Sequence, residues 1–146
     1  MKIEQLISPL DNRYNNKIAD LATNFSESNL NKVRFDIEIE WLIFLCSKGG
    51  KNFPALSKAN IKNLQALKNS FNEKSAKKVK SIEGKTNHDV KAVEYFIRDE
   101  LKKSSSLKRY EHLVHFALTS EDVNSLSYAI LMRDAQIIYL KQLDII

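Results

Sequence analysis

The stretch Leu30-Asn31-Lys32-Val33-Arg34-Phe35-Asp36-Ile37-Glu38-Ile39-Glu40-Trp41-Leu42-Ile43-Phe44-Leu45 decides the fold. Val33, Phe35, Ile37, Ile39 and Trp41 alternate with Arg34, Asp36, Glu38 and Glu40, the period-two pattern of a half-buried strand. Leu30, Val33, Ile37, Trp41, Phe44 and Leu45 also fall at helical spacing. Length arbitrates: the run goes on for about 16 residues without a turn signal, and a strand typically spans about 5–6. Ser28 can cap its start and Gly49-Gly50 can end it. The stretch is therefore expected to be a helix buried on more than one side.

Before it, residues 1–23 read as an irregular arm. Ser8-Pro9-Leu10-Asp11-Asn12-Arg13-Tyr14 joins a proline and two turn formers to an arginine beside a tyrosine. Ile18, Leu21 and Ala22 can start a short helix. After it, Pro54 and Ser57 open a helix with Ile61, Leu64, Leu67 and Phe71 as its stripe. A short basic helix around Ser75–Ile82 follows, and Gly84 is expected to break it. The next helix begins near His88 or Asp89 and carries Val90, Val93, Phe96 or Ile97, and Leu101. Ser104-Ser105-Ser106 is the best internal boundary. A helix is then expected from Leu107 to about Leu118, interrupted at Thr119-Ser120, where Thr119 and Asp122 have capping-box spacing. The last helix shows Val123, Leu126, Ile130, Ile137 and Leu140, widened by Leu131 and Ile138. Three glycines and few strand-like runs make the chain all-α.

Apolar residues make up 43% of the 146 and charged residues 28%, the balance of a globular chain with a real core. Met1-Lys2-Ile3-Glu4-Gln5 carries an acid and lacks the apolar core of a signal peptide. No apolar run is long enough to span a membrane. One cysteine, Cys46, excludes an internal disulfide and fits a reducing compartment. The expected location is cytoplasmic, without membrane association. A net charge of +5 invites a nucleic-acid partner, but Lys74, Lys77, Lys78 and Lys80 have no interleaved aromatics for base stacking. They read as a solvated helix face, and no nucleic-acid partner is expected. There is no glycine-rich phosphate loop, metal-ligand spacing or internal repeat, so neither cofactor nor metal is expected. The helix carrying Leu143-Asp144-Ile145-Ile146 has no cap or polar tail, as though it continues into a bundle. The apolar face of residues 121–146 is then expected to be uncovered and to cause self-association or disorder.

Two polar clusters sit at helix starts, where unpaired N–H groups favour anions. In the first, Asn87-His88-Asp89, an imidazole can donate to an anion or move a proton near neutral pH; capping the helix or bonding to Asp89 explains it as well. Lys91, one turn on, can add charge. In the second, Thr119-Ser120-Glu121-Asp122, hydroxyls join the helix-start N–H groups, and capping again suffices. Arg13 with Tyr14 can clamp a phosphate or carboxylate. His115 lies among Leu113, Val114 and Phe116 and reads as structural, His112 as a surface residue. The residues alone lead to an all-helical, anion-binding chain.

Ser8 through Tyr14, Thr86 through Phe96 and His115-Phe116-Ala117-Leu118-Thr119-Ser120-Glu121-Asp122 carry a resemblance further. In this order and spacing the chain resembles the N-terminal third of the adenylosuccinate lyase family, a bacterial branch of the fumarase/aspartase superfamily. The resemblance spans essentially the whole chain. It implies residues 1–106 as an N-terminal helical domain and 107–146 as the start of a central helical bundle. It implies a homotetramer that eliminates fumarate from adenylosuccinate and from the succinyl-carboxamide ribotide of purine synthesis, without a cofactor. It gives Arg13 and Tyr14 to the nucleotide phosphate, and Asn87, His88 and Asp89 to the site wall, with His88 contacting substrate and supporting the catalytic acid. Lys91 contributes charge, and Thr119 and Ser120 hold the succinyl carboxylates. The family's general-acid histidine and general-base serine correspond to positions beyond Ile146, so this chain alone is expected to be inactive. Gly84-Lys85, where relatives often carry arginine and threonine, and Asn12, where glycine is common, are departures. The alternative is a stand-alone helical module that binds a nucleotide or anion without catalysis.

Overall fold

The computed structural model describes residues 8–143. The readings placed on Met1–Gln5 and on Asp144–Ile146 lie outside the described residues. Two 3-10 turns, Pro9–Asp11 and Asn15–Lys17, lead into α1 (Ala19–Phe25), α2 (Glu27–Lys48), α3 (Lys58–Asn69), α4 (Glu73–Thr86) and α5 (Asp89–Lys102). A third 3-10 segment, Lys108–Leu113, precedes α6 (Ser120–Leu143). No strand occurs among the described residues, and the chain is all-α.

The deciding stretch is helix α2. Ser26, not Ser28, caps it: the Ser26 hydroxyl accepts from the Asn29 N–H at 3.1 Å and donates to Thr23 O, tying α1 to α2. Ser28 already lies in the first turn. Gly49 ends the helix where any side chain would collide with Leu45 O and the Phe53 ring, and Gly50 adopts φ +81, which suits a residue without Cβ.

The core gathers Phe35, Ile39, Leu42 and Cys46 of α2 with Leu64 of α3, Val79 of α4 and Val93, Phe96, Ile97 and Leu101 of α5. Each fully buried aliphatic or aromatic side chain adds about 1.5–3 kcal/mol of transfer free energy. Phe35, Phe71 and Phe96 meet in tilted and edge-on pairs with ring centroids 5.1–6.0 Å apart. Helix α5 lies centrally, against α2, α4, α6 and the third 3-10 segment. Helix α6 runs along α1 and α2, and the Asn24 amide of α1 donates to Leu131 O at 2.8 Å.

Three expectations are corrected. Gly84 does not break α4, which continues to Thr86 and stops only where Asn87 turns left-handed at φ 53. Asparagine tolerates that conformation, and Val79 anchored in the core carries the helix past the glycine. Leu107–Leu118 is not an α-helix. Lys108–Leu113 is a 3-10 segment with Tyr110 and Leu113 buried and Tyr110 donating to Ala55 O, and the chain then turns irregular where Glu38 and Trp41 of α2 bond His115 and Phe116 O. On α6 the inward residues are Val123, Ser127 and Leu131. Leu126, Ile137 and Leu140 are about half exposed, and Tyr128, Met132, Tyr139 and Leu143 join them on the surface. Many of the large apolar residues of α6 thus face away from the core, while Val123, Ser127 and Leu131 form its buried stripe.

Gly84 tests the continuity of α4, since nothing lies within 4 Å of a Cβ built there. Gly84→Ala is expected to raise the unfolding free energy by about 0.5–1 kcal/mol. Urea denaturation monitored by circular dichroism measures it, and an unchanged or lower midpoint would mean that the helix breaks at this residue.

Candidate functional site

The first polar cluster is built by the turn between α4 and α5. Asn87 is left-handed and His88 extended, so the chain reverses within two residues and exposes the start of α5. His88 Nδ1 accepts from the Lys91 N–H at 3.2 Å as the α5 cap. With Nδ1 an acceptor, the neutral ring carries its proton on Nε2, which is left for a ligand. Capping therefore occupies one ring nitrogen and leaves the other without a role in the cap, and His88 is half exposed. Thr86 Oγ1 donates to His88 O at 3.2 Å and holds the turn.

Asn87, His88 and Asp89 border an open cleft of about 420 Å³ that Glu27, Leu30 and Arg34 of α2, Glu83 of α4 and Tyr128 of α6 complete. Arg34 is its anchor. The guanidinium is buried and donates to Asp89 Oδ2 at 2.7 Å, Asn31 Oδ1 at 3.2 Å and Asn124 Oδ1 at 3.0 Å, joining α2, α5 and α6. Burial by itself would push the Asp89 carboxyl up, but the Val90 N–H and the Arg34 charge outweigh it and hold it below the ordinary value. Asp89 is thus an ionised counter-charge to Arg34 near neutral pH.

The second cluster surrounds the start of α6. Asp122 Oδ2 accepts from the Thr119 N–H at 2.7 Å and from Thr119 Oγ1 at 2.9 Å, and the Asp122 N–H points back to Thr119 Oγ1 at 3.4 Å. The capping box is formed, with aspartate in the usual place of glutamate. These bonds to Thr119 lower the Asp122 pKa. Just before it, His115 and Ala117 adopt φ 65 and φ 61. Left-handed backbone costs a non-glycine residue about 1–2 kcal/mol and persists only where neighbours impose it. Two bonds from α2 do so here: His115 Nδ1 bonds Glu38 Oε1, and Trp41 Nε1 donates to Phe116 O at 2.8 Å. The bond to Glu38 raises the His115 pKa against the opposing effect of burial. His115 is mostly buried and bonded to Glu38, and His112 is exposed.

Lys91 lies outside the cleft wall. Its ammonium sits 2.8 Å from Glu94 Oε2 and over the Tyr95 ring, so much of its charge is already matched. Arg13 and Tyr14 lie in the exposed arm, with the guanidinium 5.2 Å from the ring centroid, and neither borders the cleft. The structure thus joins Asn87, His88 and Asp89 in one place and Thr119 and Ser120 in another. The basic cluster on α4 behaves as a solvated face, with Lys77, Lys78 and Lys80 paired to Glu73, Glu100, and Glu27 and Glu83. Among the described residues no group of three or more His, Cys, Asp or Glu could hold a metal ion, and no helix is long and apolar enough to cross a membrane.

Sequence reasoning missed Arg34, Glu38 and Tyr128. A signal existed for two of them: Asn31, Arg34 and Glu38 recur at i, i+3 and i+7, one face of a helix, and all three are buried. The alternation of Leu30–Leu45 hid that polar stripe among apolar neighbours.

Comparison with known proteins follows this geometry. Residues 12–145 match the family described as "Lyase". The adenylosuccinate lyase of Escherichia coli strain K12 is 41% identical over 131 residues, covering 89% of this chain and 29% of that protein. That of Legionella pneumophila strain Corby is 43% identical over 130 residues, covering 88% and 28%. That of Haemophilus influenzae strain Rd is 40% identical over 131 residues, covering 89% and 29%. The chain spans less than a third of the length of these relatives.

Arg34→Met removes the guanidinium while keeping most of its volume. It is expected to cost about 1–3 kcal/mol, moderated because water reaches the half-exposed Asp89. Asp89 has a lowered folded pKa, so its contribution is complete above the unfolded value near 4 and fades as pH falls through the folded one. The stability gap between wild type and variant should be constant above about pH 5 and narrow below about pH 4. Urea midpoints from pH 7 to pH 3 measure it, and a gap independent of pH would remove Asp89 as the partner that matters.

Proposed function

The chain belongs to the lyase family, and from that membership we propose that it is the N-terminal part of an adenylosuccinate lyase of purine biosynthesis. The complete protein would eliminate fumarate from adenylosuccinate, giving AMP, and from the succinyl-carboxamide ribotide. The observation that carries the proposal is the Asn87-His88-Asp89 turn, which sets an imidazole and a helix start at a cleft, anchored by a buried arginine, in a chain about 40% identical to adenylosuccinate lyases.

In the elimination a base removes a proton from the carbon beside a carboxylate. The electron pair left on that carbon forms the new double bond, the bond from the neighbouring carbon to nitrogen breaks, and an acid protonates the departing nitrogen. Charge builds on the carboxylate as its aci form develops, so fixed donors around it lower the barrier. The Ser120 hydroxyl and N–H are donors suited to the succinyl carboxylates, while Thr119, whose own N–H and hydroxyl donate to Asp122, sets the helix start beside them. His88, offering Nε2–H, contacts the substrate and supports the acid. Arg13 and Tyr14 take the nucleotide phosphate, and Lys91 adds positive potential beside the turn. The acid and the base themselves come from residues outside this chain.

Residues 1–106 and 107–146 would then be the N-terminal domain and the beginning of the central bundle, in a cytoplasmic homotetramer. The uncovered apolar face of α6 supports that assembly, since a helix with this many exposed large side chains is suited to burial against further helices. No feature of the cleft favours the stand-alone binding module over this reading.

His88→Ala in the complete protein is expected to lower kcat/KM for adenylosuccinate by about 100-fold or more, within the range set by losing a positioned acid–base partner. Fumarate release followed by ultraviolet absorbance measures it, and unchanged turnover and KM would remove His88 from the site. The 146-residue chain alone is expected to release no fumarate. Measurable cleavage by it would refute the assignment of acid and base to residues elsewhere.

A further inference from the structure

The Glu38–His115 pair and the Trp41–Phe116 bond are not used by the reaction described above. Glu38 and Trp41 lie three residues apart on α2, and both reach the loop that delivers the chain to Thr119. Glu38 is 1% exposed, and its Oε2 has no hydrogen-bond partner among the described residues. A carboxylate so placed is costly to bury unless its charge is compensated, and the His115 imidazole is the group bonded to it. The segment it grips holds two left-handed non-glycine residues, His115 and Ala117, a conformation that relaxes when its restraints are cut. Leu118 N–H closes onto His115 O at 3.2 Å, so the set of His115 passes directly to the residue before Thr119.

We infer that Glu38 and Trp41 of α2 are positioning residues that clamp His115 and Phe116 and thereby aim the Thr119-Ser120 anion site at the start of α6. The inference rests on the reading that the helix start at Thr119-Ser120 holds a substrate carboxylate. Neither Glu38 nor Trp41 need touch substrate; each acts through the loop. The charged groups facing the imidazole are Glu38 of α2, Glu94 and Lys91 of α5, and Asp122 of α6. Because Glu38 raises the His115 pKa, the clamp is complete below the ordinary histidine value near 6.5 and loosens as pH rises through the raised one.

The test uses Glu38→Gln and Trp41→Phe in the complete protein. Glutamine keeps the shape of Glu38 and removes its charge; phenylalanine keeps a ring and removes the N–H donor, so the second variant decides if the first does not fold. Two readouts are taken: steady-state kinetics with adenylosuccinate, and hydrogen exchange of the amides of residues 115–122 against those of α3 and α4. The expected result is a KM raised at least tenfold with kcat changed less than threefold, and exchange at least tenfold faster in residues 115–122 alone. Unchanged exchange there, equal acceleration throughout, or local acceleration without a KM change would each overturn the inference. If the wild-type protein does not cleave adenylosuccinate, the functional reading falls by itself. Exchange then decides the clamp: local acceleration upholds it, and none overturns it.

Discussion

Burial of charge on α2 is the constraint on which the rest of the structure depends. Asn31, Arg34 and Glu38 point into the protein from one face of this helix, each 3% exposed or less. An unpaired buried guanidinium or carboxylate costs several kcal/mol, so each must find a partner from another element. Arg34 finds Asp89 at the start of α5 and Asn124 on α6; Glu38 finds His115. These bonds fix where the N-termini of α5 and α6 lie.

That arrangement suits a site that must be preformed. The two helix starts carrying polar clusters, at His88 and at Thr119, are each tied to a buried residue of α2, Arg34 directly and Glu38 through His115. In the proposed function the working groups, His88 Nε2 and the hydroxyl of Ser120, are thus separated from the groups that hold the frame. Anchoring a site on helices rather than on a loose loop keeps its donors near their working positions, which the proposed stabilisation of a developing carboxylate charge requires. The 115–118 loop is the exception, with two strained residues in four, and Glu38 and Trp41 hold that loop.

The outer side of α2 and the outer face of α6 tell a complementary story. Ile37, Trp41 and Phe44 of α2 and Leu126 and Ile130 of α6 line an open groove of about 600 Å³. Helix α2 therefore has three distinct faces: one apolar toward the core, one polar toward the clusters, and one apolar toward the groove. A helix with apolar residues on two sides and polar ones between reads locally as alternation, which is why its period was ambiguous.

Much was legible in the sequence. Length and the absence of turn signals made Leu30–Leu45 a helix, the apolar spacing of Val90, Val93, Ile97 and Leu101 defined α5, and Thr119 with Asp122 announced the start of α6. His88 and its neighbours were recognisable because a polar cluster before an apolar stripe is a local pattern, and local patterns are written in neighbouring residues. What escaped was non-local. Gly84 looked like a breaker until Val79, held in the core, carried α4 past it, and Leu107–Leu118 looked helical although Glu38 and Trp41 of α2 hold its end in an irregular turn. The roles of Arg34 and Glu38 were decided only by tertiary structure, because their partners lie 55 and 77 residues away in the chain. A charge on a helix reads as solvent-facing until folding brings its counter-charge, and only the packed structure supplies that.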